Sequence, residues 1–317
     1  MSEFPLALAC FAVAETLPVI SGRMRIHVRI GAGGAAMVNS PVDNRAHVDP
    51  VERYVLGHSD RELKRLAVQA RLVDPITRRF LSAAGITSGM RVLDVGSGAG
   101  DVAFLTADLV GETGEVIGVD RSAAALAIAK ERASSFHNVS FREGDPANMS
   151  FEKPFDAVVG RYVLMFQRDP ATMLRGVAAH VRPGGVVVFH EPDWDSSRSF
   201  PPVPTYDRCC RWIVETLRLS GADSRMGIKL HSTFVTAGLP TPSLRLESII
   251  GGGDGSSDQV TFKTDLACTL VSDMERLGVA TALEVDAETL AERVLREIAA
   301  CDGVVVGRSE IGAWSRV

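Results

Sequence analysis

Cysteine is scarce in this 317-residue chain and is never spaced for metal. The five cysteines, Cys10, Cys209, Cys210, Cys268 and Cys301, form no CxxC pair and no His/Cys ligand pattern. That sets aside a zinc site and a disulfide framework, and it suits a reducing, cytoplasmic setting. Cys209 and Cys210 are adjacent in a helical segment and read as packing residues rather than a redox pair. Long apolar runs are missing too: none approaches the roughly 18 residues that span a bilayer. The stretch 6–13 follows Glu3 instead of the basic flank of a secretory leader. Nor is positive charge in excess. A formal net charge of −5 argues against a surface built to grip phosphate backbones, and so against nucleic acid as the partner. No internal repeat is present. Residues 1–45 lack a clear period, are rich in Gly and Ala around 31–36, and read as a weakly ordered extension. Recognisable structure begins only after Met37, which makes that residue a candidate start.

What is present is an ordinary globular composition, 46% hydrophobic and 23% charged. From Ser59 the pattern turns helical, with Ser59 and Glu62 as a capping box and Leu63, Leu66, Ala67 and Ala70 on one face. Pro75 is expected to interrupt this helix, and a second short one to carry Phe80 and Leu81. Strands are then predicted at 91–95, 115–120, 139–142, 155–159 and 186–190, and helices at 101–110, 122–133 and 171–181. Strands separated by such helices pair in parallel through right-handed crossovers. Val186-Val187-Val188-Phe189 is continuously apolar, as a strand covered on both faces should be. Beyond Trp194 the rhythm changes. Helices are expected at 206–219, 230–237, 263–277 and 287–300, with strands at 244–250 and 303–308. The stretch to Val317 either extends the last strand or folds back as a hairpin.

The most informative string is Val92-Leu93-Asp94-Val95-Gly96-Ser97-Gly98-Ala99-Gly100-Asp101. A glycine turn between a first strand and its helix brings backbone N–H groups and a helix N-terminus to a ligand. The glycines fall as GxGxG, whereas a dinucleotide fingerprint would want Gly or Ala at Asp101. Carboxylates at Asp94 and Asp101 would repel a pyrophosphate and suit a ligand with cationic centres. Asp120 ends the second strand about twenty residues on, where an acid can take two ribose hydroxyls in either kind of cofactor.

These residues resemble motif I of class I methyltransferases. Val116-Ile117-Gly118-Val119-Asp120 is similar to their second motif, and Gly144-Asp145-Pro146-Ala147 to the segment after strand three. Gly160-Arg161-Tyr162-Val163-Leu164 sits where the family's fourth strand ends, and Arg182-Pro183-Gly184-Gly185 resembles the turn before strand five. The likeness covers about residues 50–195 and is closest to the ubiquinone/menaquinone C-methyltransferase-like group of small-molecule enzymes. It implies an α/β, Rossmann-like doubly wound sheet of seven strands, only the last antiparallel. An N-terminal helical cap (46–88), a cofactor-binding core (89–193), substrate-side helices and a strand (194–300) and a C-terminal strand region (301–317) would make one domain. S-adenosyl-L-methionine would be the cofactor. Gly96, Ser97, Gly98 and Gly100 would cradle its methionine portion, and Asp94 would organise the loop. Asp120 would bind ribose; Arg121, Asp145 and Pro146 would border the adenine. Tyr54 and Gln69 of the cap would lie over the cofactor, and Arg161 would stand beside it.

Methyl transfer is an in-line displacement, so the protein mainly aligns the acceptor and excludes water. A base is needed only for a protonated, weakly acidic acceptor. His190, Glu191 and Asp193 after strand five, and His231 in the later helices, are the candidates, with His190, Glu191 and His231 carried forward as catalytic. A metal would want carboxylates at the ends of strands four and five. Strand four offers Arg161, so none is expected. The (D/N)PPY motif of nucleic-acid amino methylation is absent, Gly160-Arg161-Tyr162-Val163 standing in its place. Trp194, Phe200, Tyr206, Trp212 and Phe234 could line an apolar acceptor pocket. The extended helices suggest a lid or a homodimer contact. The expected activity is methylation of a small, hydrophobic or aromatic metabolite. An NAD(P)-dependent oxidoreductase and a non-catalytic adenosylmethionine-binding protein are the alternatives.

Overall fold

The computed structural model describes residues 60–317, with side chains from residue 71 onward apart from that of residue 254. The extension, Met37, Tyr54 and the Ser59 cap lie outside the described residues, as does the side chain of Gln69.

One sheet holds eight strands: β1 (Arg91–Val95), β2 (Glu115–Asp120), β3 (Val139–Glu143), β4 (Phe155–Arg161), β5 (Val181–Asp193), β6 (Arg198–Phe200), β7 (Ser243–Gly252) and β8 (Val304–Arg316). Their order is β3-β2-β1-β4-β5-β8-β6, with β7 also paired to β8. The first five pair in parallel, and β8 runs against β5, β6 and β7. The last strand is therefore the one reversed, as expected. The strand the sequence did not announce is β6, three residues long, which follows a 3-10 turn at Trp194–Ser196.

Side-chain alternation explains the continuous apolar strands. Val187 and Phe189 of β5 join the core on one face of the sheet, and Val186 and Val188 the core on the other. Both faces are dry, so both registers must be apolar. The covering helices are α1 (Asp60–Ala84), α2 (Asp101–Val110), α3 (Ala123–Arg132), α4 (Pro170–Ala178), α5 (Pro204–Leu219) and α6 (Met226–Thr236). Four more follow β7: α7 (Ser257–Thr269), α8 (Val271–Leu277), α9 (Ala282–Val285) and α10 (Leu290–Ala300).

Two local expectations change. Pro75 does not interrupt its helix: α1 runs unbroken through it. Val73, Ile76 and Phe80 around it are 0–3% exposed, and that burial outweighs the roughly 3 kcal/mol a helical proline costs. Gly312 of β8 makes room for this packing, since a Cβ there would come within 2.6 Å of the Phe80 ring. The Pro183-Gly184-Gly185 turn is instead a bulge inside β5, where the register jumps from Phe155–Val181 to Ala157–Val186. Gly184 N–H and Gly185 C=O close the bulge onto Val317. Parallel pairing leaves the carboxyl ends of β1, β2, β4 and β5 along one edge, the usual place for ligands in such sheets.

Candidate functional site

The glycine loop is shaped by positive φ. Gly96, Gly98 and Gly100 sit at +65°, +52° and +92°, which side chains rarely adopt. A Cβ on Gly96 would also strike Val163 Cγ2 at 2.7 Å. Gly96 and Ser97 donate their N–H groups to the Val119 carbonyl, at 2.8 and 3.1 Å. Gly98 N–H reaches Asp120 Oδ2 at 2.9 Å, and Ser122 N–H reaches Oδ1 at 2.8 Å. The loop and the end of β2 thus form one rigid unit. Burial raises the Asp120 carboxyl, against the pull of the Ser122, Gly98 and Arg121 backbone N–H groups.

Beneath the loop Asp94 is 1% exposed, and neither of its carboxylate oxygens has a hydrogen-bond partner. Burial pushes its pKa well above the usual carboxylate range, and the Arg161 charge opposes this. Ser97 Oγ is likewise buried without a partner. Buried polar atoms in a folded protein are normally paired, so this loop holds acceptors waiting for donors. Asp101 differs: it pairs with Arg132 at 2.8 Å and lies 4.0 Å from Arg161. Its charge is already answered, which removes Asp101 from the case against a pyrophosphate.

A pocket opens beside the loop, lined by Gly96, Val119, Asp120, Arg121, Asp145 and Pro146, and on its other side by Tyr162, Val163, Gln167 and Met173. Asp145 accepts from Arg121 at 2.5 Å and from Asn148 at 2.8 Å, so these side chains are locked before any ligand arrives. Arg161 stands behind this wall. It is buried and donates to Asp74 at 2.7 Å and Thr77 at 3.0 Å, tying α1 to the end of β4. Tyr162 and Val163 reach the pocket, and Arg161 is not in its lining.

Tyr162 is held at φ +59°, a conformation costly for a bulky residue. Its hydroxyl donates to Glu310 Oε2 at 2.7 Å and accepts from Arg308 Nη2 at 2.8 Å. Glu310 Oε1 takes Arg308 Nε at 2.8 Å, and Oε2 also meets His190 Nε2 at 2.9 Å. His190 Nδ1 faces Thr77 Oγ1 at 3.1 Å. Burial pushes Glu310 up, but Arg308 and the His190 and Tyr162 hydrogen bonds outweigh it and hold the carboxyl well below its usual range. Burial lowers His190, with Glu310 opposing, and raises Tyr162 far above an ordinary phenol. A neutral imidazole, a neutral phenol and an Arg–Glu ion pair result. Sequence reading singled out His190 and quoted Tyr162 within the strand-four motif, and it named neither Arg308 nor Glu310. The available signal was Arg308 and Glu310 two apart, on one face of a terminal strand that opens on Val304-Val305-Val306.

Glu191 turns to the backbone after β4 and lines neither pocket. Fully buried, it accepts the N–H groups of Val163 (2.8 Å), Leu164 (2.7 Å) and Met165 (3.4 Å), capping the 3-10 turn after β4. Burial raises it to about 8 against those donors. His231 is exposed on α6 and lines neither pocket. Among the aromatics, Tyr206 and Phe234 are core at 0% exposure, Phe200 is 75% exposed, and Trp194 and Trp212 border a second groove. Cys209 and Cys210 are free and buried.

Residues 86–218 match the family model of a methyltransferase domain. The demethylmenaquinone methyltransferase of Staphylococcus saprophyticus is 32% identical over 133 residues, 42% of this chain and 54% of that protein. The 2-phytyl-1,4-naphtoquinone methyltransferase of Synechococcus elongatus is 36% identical over 133 residues, 40% of this chain and 55% of that protein. An arsenite methyltransferase of Aquipseudomonas alcaligenes is 36% identical over 121 residues, 35% of each chain. The chain thus spans about half the length, or less, of these curated relatives. Residues 86–218, which carry β1 to β5, are thus similar to a methyltransferase domain.

Proposed function

We infer that this chain is an S-adenosylmethionine-dependent methyltransferase acting on a small, apolar or aromatic acceptor. The observation that carries the reading is Asp94, two buried carboxylate oxygens without partners beneath a glycine loop. Such a pair calls for a ligand that brings hydrogen-bond donors, as an amino group does. The cofactor would supply an electrophilic methyl on a sulfonium. Gly96, Ser97, Gly98 and Gly100 fit its amino-acid end. Asp120, both of whose oxygens are already oriented by backbone N–H groups, fits a ribose diol, and Arg121, Asp145 and Pro146 fit the adenine edge. The named relatives are methyltransferases of demethylmenaquinone, of 2-phytyl-1,4-naphtoquinone and of arsenite, and a small acceptor is carried over from that range.

The protein's share of the chemistry is orientation. Glu191 fixes the turn that brings Val163 to the pocket wall, and the Glu310–His190 pair with Arg308 fixes the Tyr162 ring. In this reading His190 and Glu191 are positioning residues, and His231, on an exposed helix face, takes no part. The chain would work in a reducing, cytoplasmic compartment, without nucleic acid as substrate, alone or as a homodimer. A net charge of −5 supports the second point, and no helix among the described residues is long and apolar enough to cross a membrane. Calorimetric titration with adenosylhomocysteine, beside NADH, tests the cofactor. Binding of the thioether alone, weakened at least about tenfold in Asp120→Ala by loss of a ribose partner, is expected. Binding of NADH in its place overturns the reading.

A further inference from the structure

The second groove begins where β5 ends and has a volume of about 1070 Å³, enough for a drug-sized molecule. Trp194 and Ser197 form part of its lining, and Asp207, Cys210 and Arg211 of α5 stand across from them. Lys263 of α7 lies directly behind this lining, 1% exposed. Its Nζ donates to Ser197 Oγ at 3.0 Å and sits 4.7 Å from the Trp194 ring centroid. Among the described residues no carboxylate forms an ion pair with it. An unpaired ammonium is among the most expensive groups to bury.

The same indole carries a second cation, Arg308, whose Cζ is 4.1 Å from the ring. Glu310 already neutralises that guanidinium. Lys263, Arg308 and Glu310 therefore sum to one uncompensated positive charge in a dry cluster. Trp194 Nε1–H is also buried with no acceptor. The net free charge along the groove has the same sign. Asp195 is paired with Arg225 and Glu215 with Arg218, which leaves Asp207, bonded to the Ser199 hydroxyl, as a negative charge of the lining with no cation partner among the described residues. Arg198 and Arg211 form no ion pair among the described residues. The Trp194 N–H lacks an acceptor and Lys263 lacks a counter-ion, and two unpaired arginines against one unpaired carboxylate leave the surplus in the lining positive.

The cluster also adjoins the first pocket. Arg308 bonds the Tyr162 hydroxyl, and Tyr162 lines the pocket assigned to the cofactor. We propose that the groove receives the methyl acceptor through a carboxylate seated between Lys263 and the Trp194 indole N–H, its apolar remainder passing Tyr162 toward the cofactor. Ser197 is the gate, since its hydroxyl now holds the ammonium that the carboxylate would take. The assignment rests on the methyltransferase reading, and its chemistry is that of a small aromatic or apolar acid.

Benzoate is the probe, with benzamide as its neutral isostere, titrated calorimetrically into the full chain. Saturable binding of benzoate with a Kd of about 1 mM or tighter is expected, at least about tenfold stronger than benzamide. Lys263→Met should abolish that preference, and Lys130→Met, on an exposed face of α3, should leave it intact. Trp194→Phe keeps a ring between the cations and removes only the N–H, so it should weaken benzoate severalfold independently of the lysine variant. Equal binding of acid and amide, absence of saturable benzoate binding, or unchanged binding in Trp194→Phe overturns the subsite. Adenosylhomocysteine is titrated separately. Its binding with benzoate failing condemns the subsite alone, and the reverse condemns the cofactor assignment while the acid site stands.

Discussion

Glu191→Gln decides which of two opposing forces governs the carboxyl that organises the loop after β4. Burial disfavours its charge, while two short backbone N–H bonds, at 2.8 and 2.7 Å, favour it. Burial prevails and lifts the group from 4.5 to about 8. The native state then holds this proton between about pH 4.5 and 8, where the unfolded chain does not. Stability from this group is complete below the unfolded value and is lost as pH rises through the folded one. A shift of about 3.5 units corresponds to roughly 5 kcal/mol over that window, an upper figure for a single group. Glutamine keeps an oxygen for Val163 and Leu164 and has no proton to lose. It forfeits only the 3.4 Å contact from Met165, a cost of at most about 1 kcal/mol. Urea unfolding at three pH values across this range should show the variant equal to or slightly below the parent at the acid end. It should stand several kcal/mol above the parent at the alkaline end. A difference that stays flat with pH, or that falls as pH rises, refutes the reasoning, because the N–H donors would then be holding a carboxylate.

Two further outcomes follow from burial and contact. Lys263→Met exchanges a buried ammonium for a thioether of similar length, and it should raise stability by about 1–3 kcal/mol near neutral pH. Burial lowers the Lys263 pKa from 10.5, so the gain should shrink as pH climbs toward that value; thermal unfolding at two alkaline pH values reads it. Gly227→Ala should destabilise by about 1–3 kcal/mol although alanine favours helices by about 1 kcal/mol. The new Cβ would lie 2.7 Å from the Glu191 carbonyl oxygen and 3.0 Å from the Pro192 carbonyl carbon, and a melting temperature equal to the parent's would contradict the packing of α6 on β5.

The parallel half of the sheet was legible because its signals are local. Apolar runs such as Val186 to Phe189 and the glycine turn at Gly96 each announce themselves within a few residues, and the structure reproduces the five strands in order. Pro75 misled because helix propensity is a local quantity, while the burial of Val73, Ile76 and Phe80 that overrides it is tertiary. Asp101 misled for a similar reason. Its partner Arg132 is a helix away, and nothing in the sequence announces that they meet. The roles of His190 and Glu191 were the least readable. Both are polar residues at the end of a buried strand, and only the structure shows one turned to Glu310 and the other to the backbone of Val163 and Leu164.

The reversal of β8 explains why the missing half of the site comes from the end of the chain. An antiparallel strand beside β5 sets its own early residues against the late residues of its neighbour, and the register pairs Asp193 with Ser309 and Pro192 with Glu310. Arg308 and Glu310 therefore arrive at the ligand edge of the sheet, where β1 to β5 deliver only their carboxyl ends. Two residues apart on a strand, they share a face, and that is what lets one carboxylate meet Arg308, Tyr162 and His190 together. A forward-running strand would have carried these charges to the opposite edge, into the core beneath the bulge. Polar residues on a buried strand are tolerated where they close a fully bonded network. Lys263, which no carboxylate answers among the described residues, bonds Ser197 of the groove lining, and in the proposed subsite that unpaired charge would be the means of choosing the acceptor.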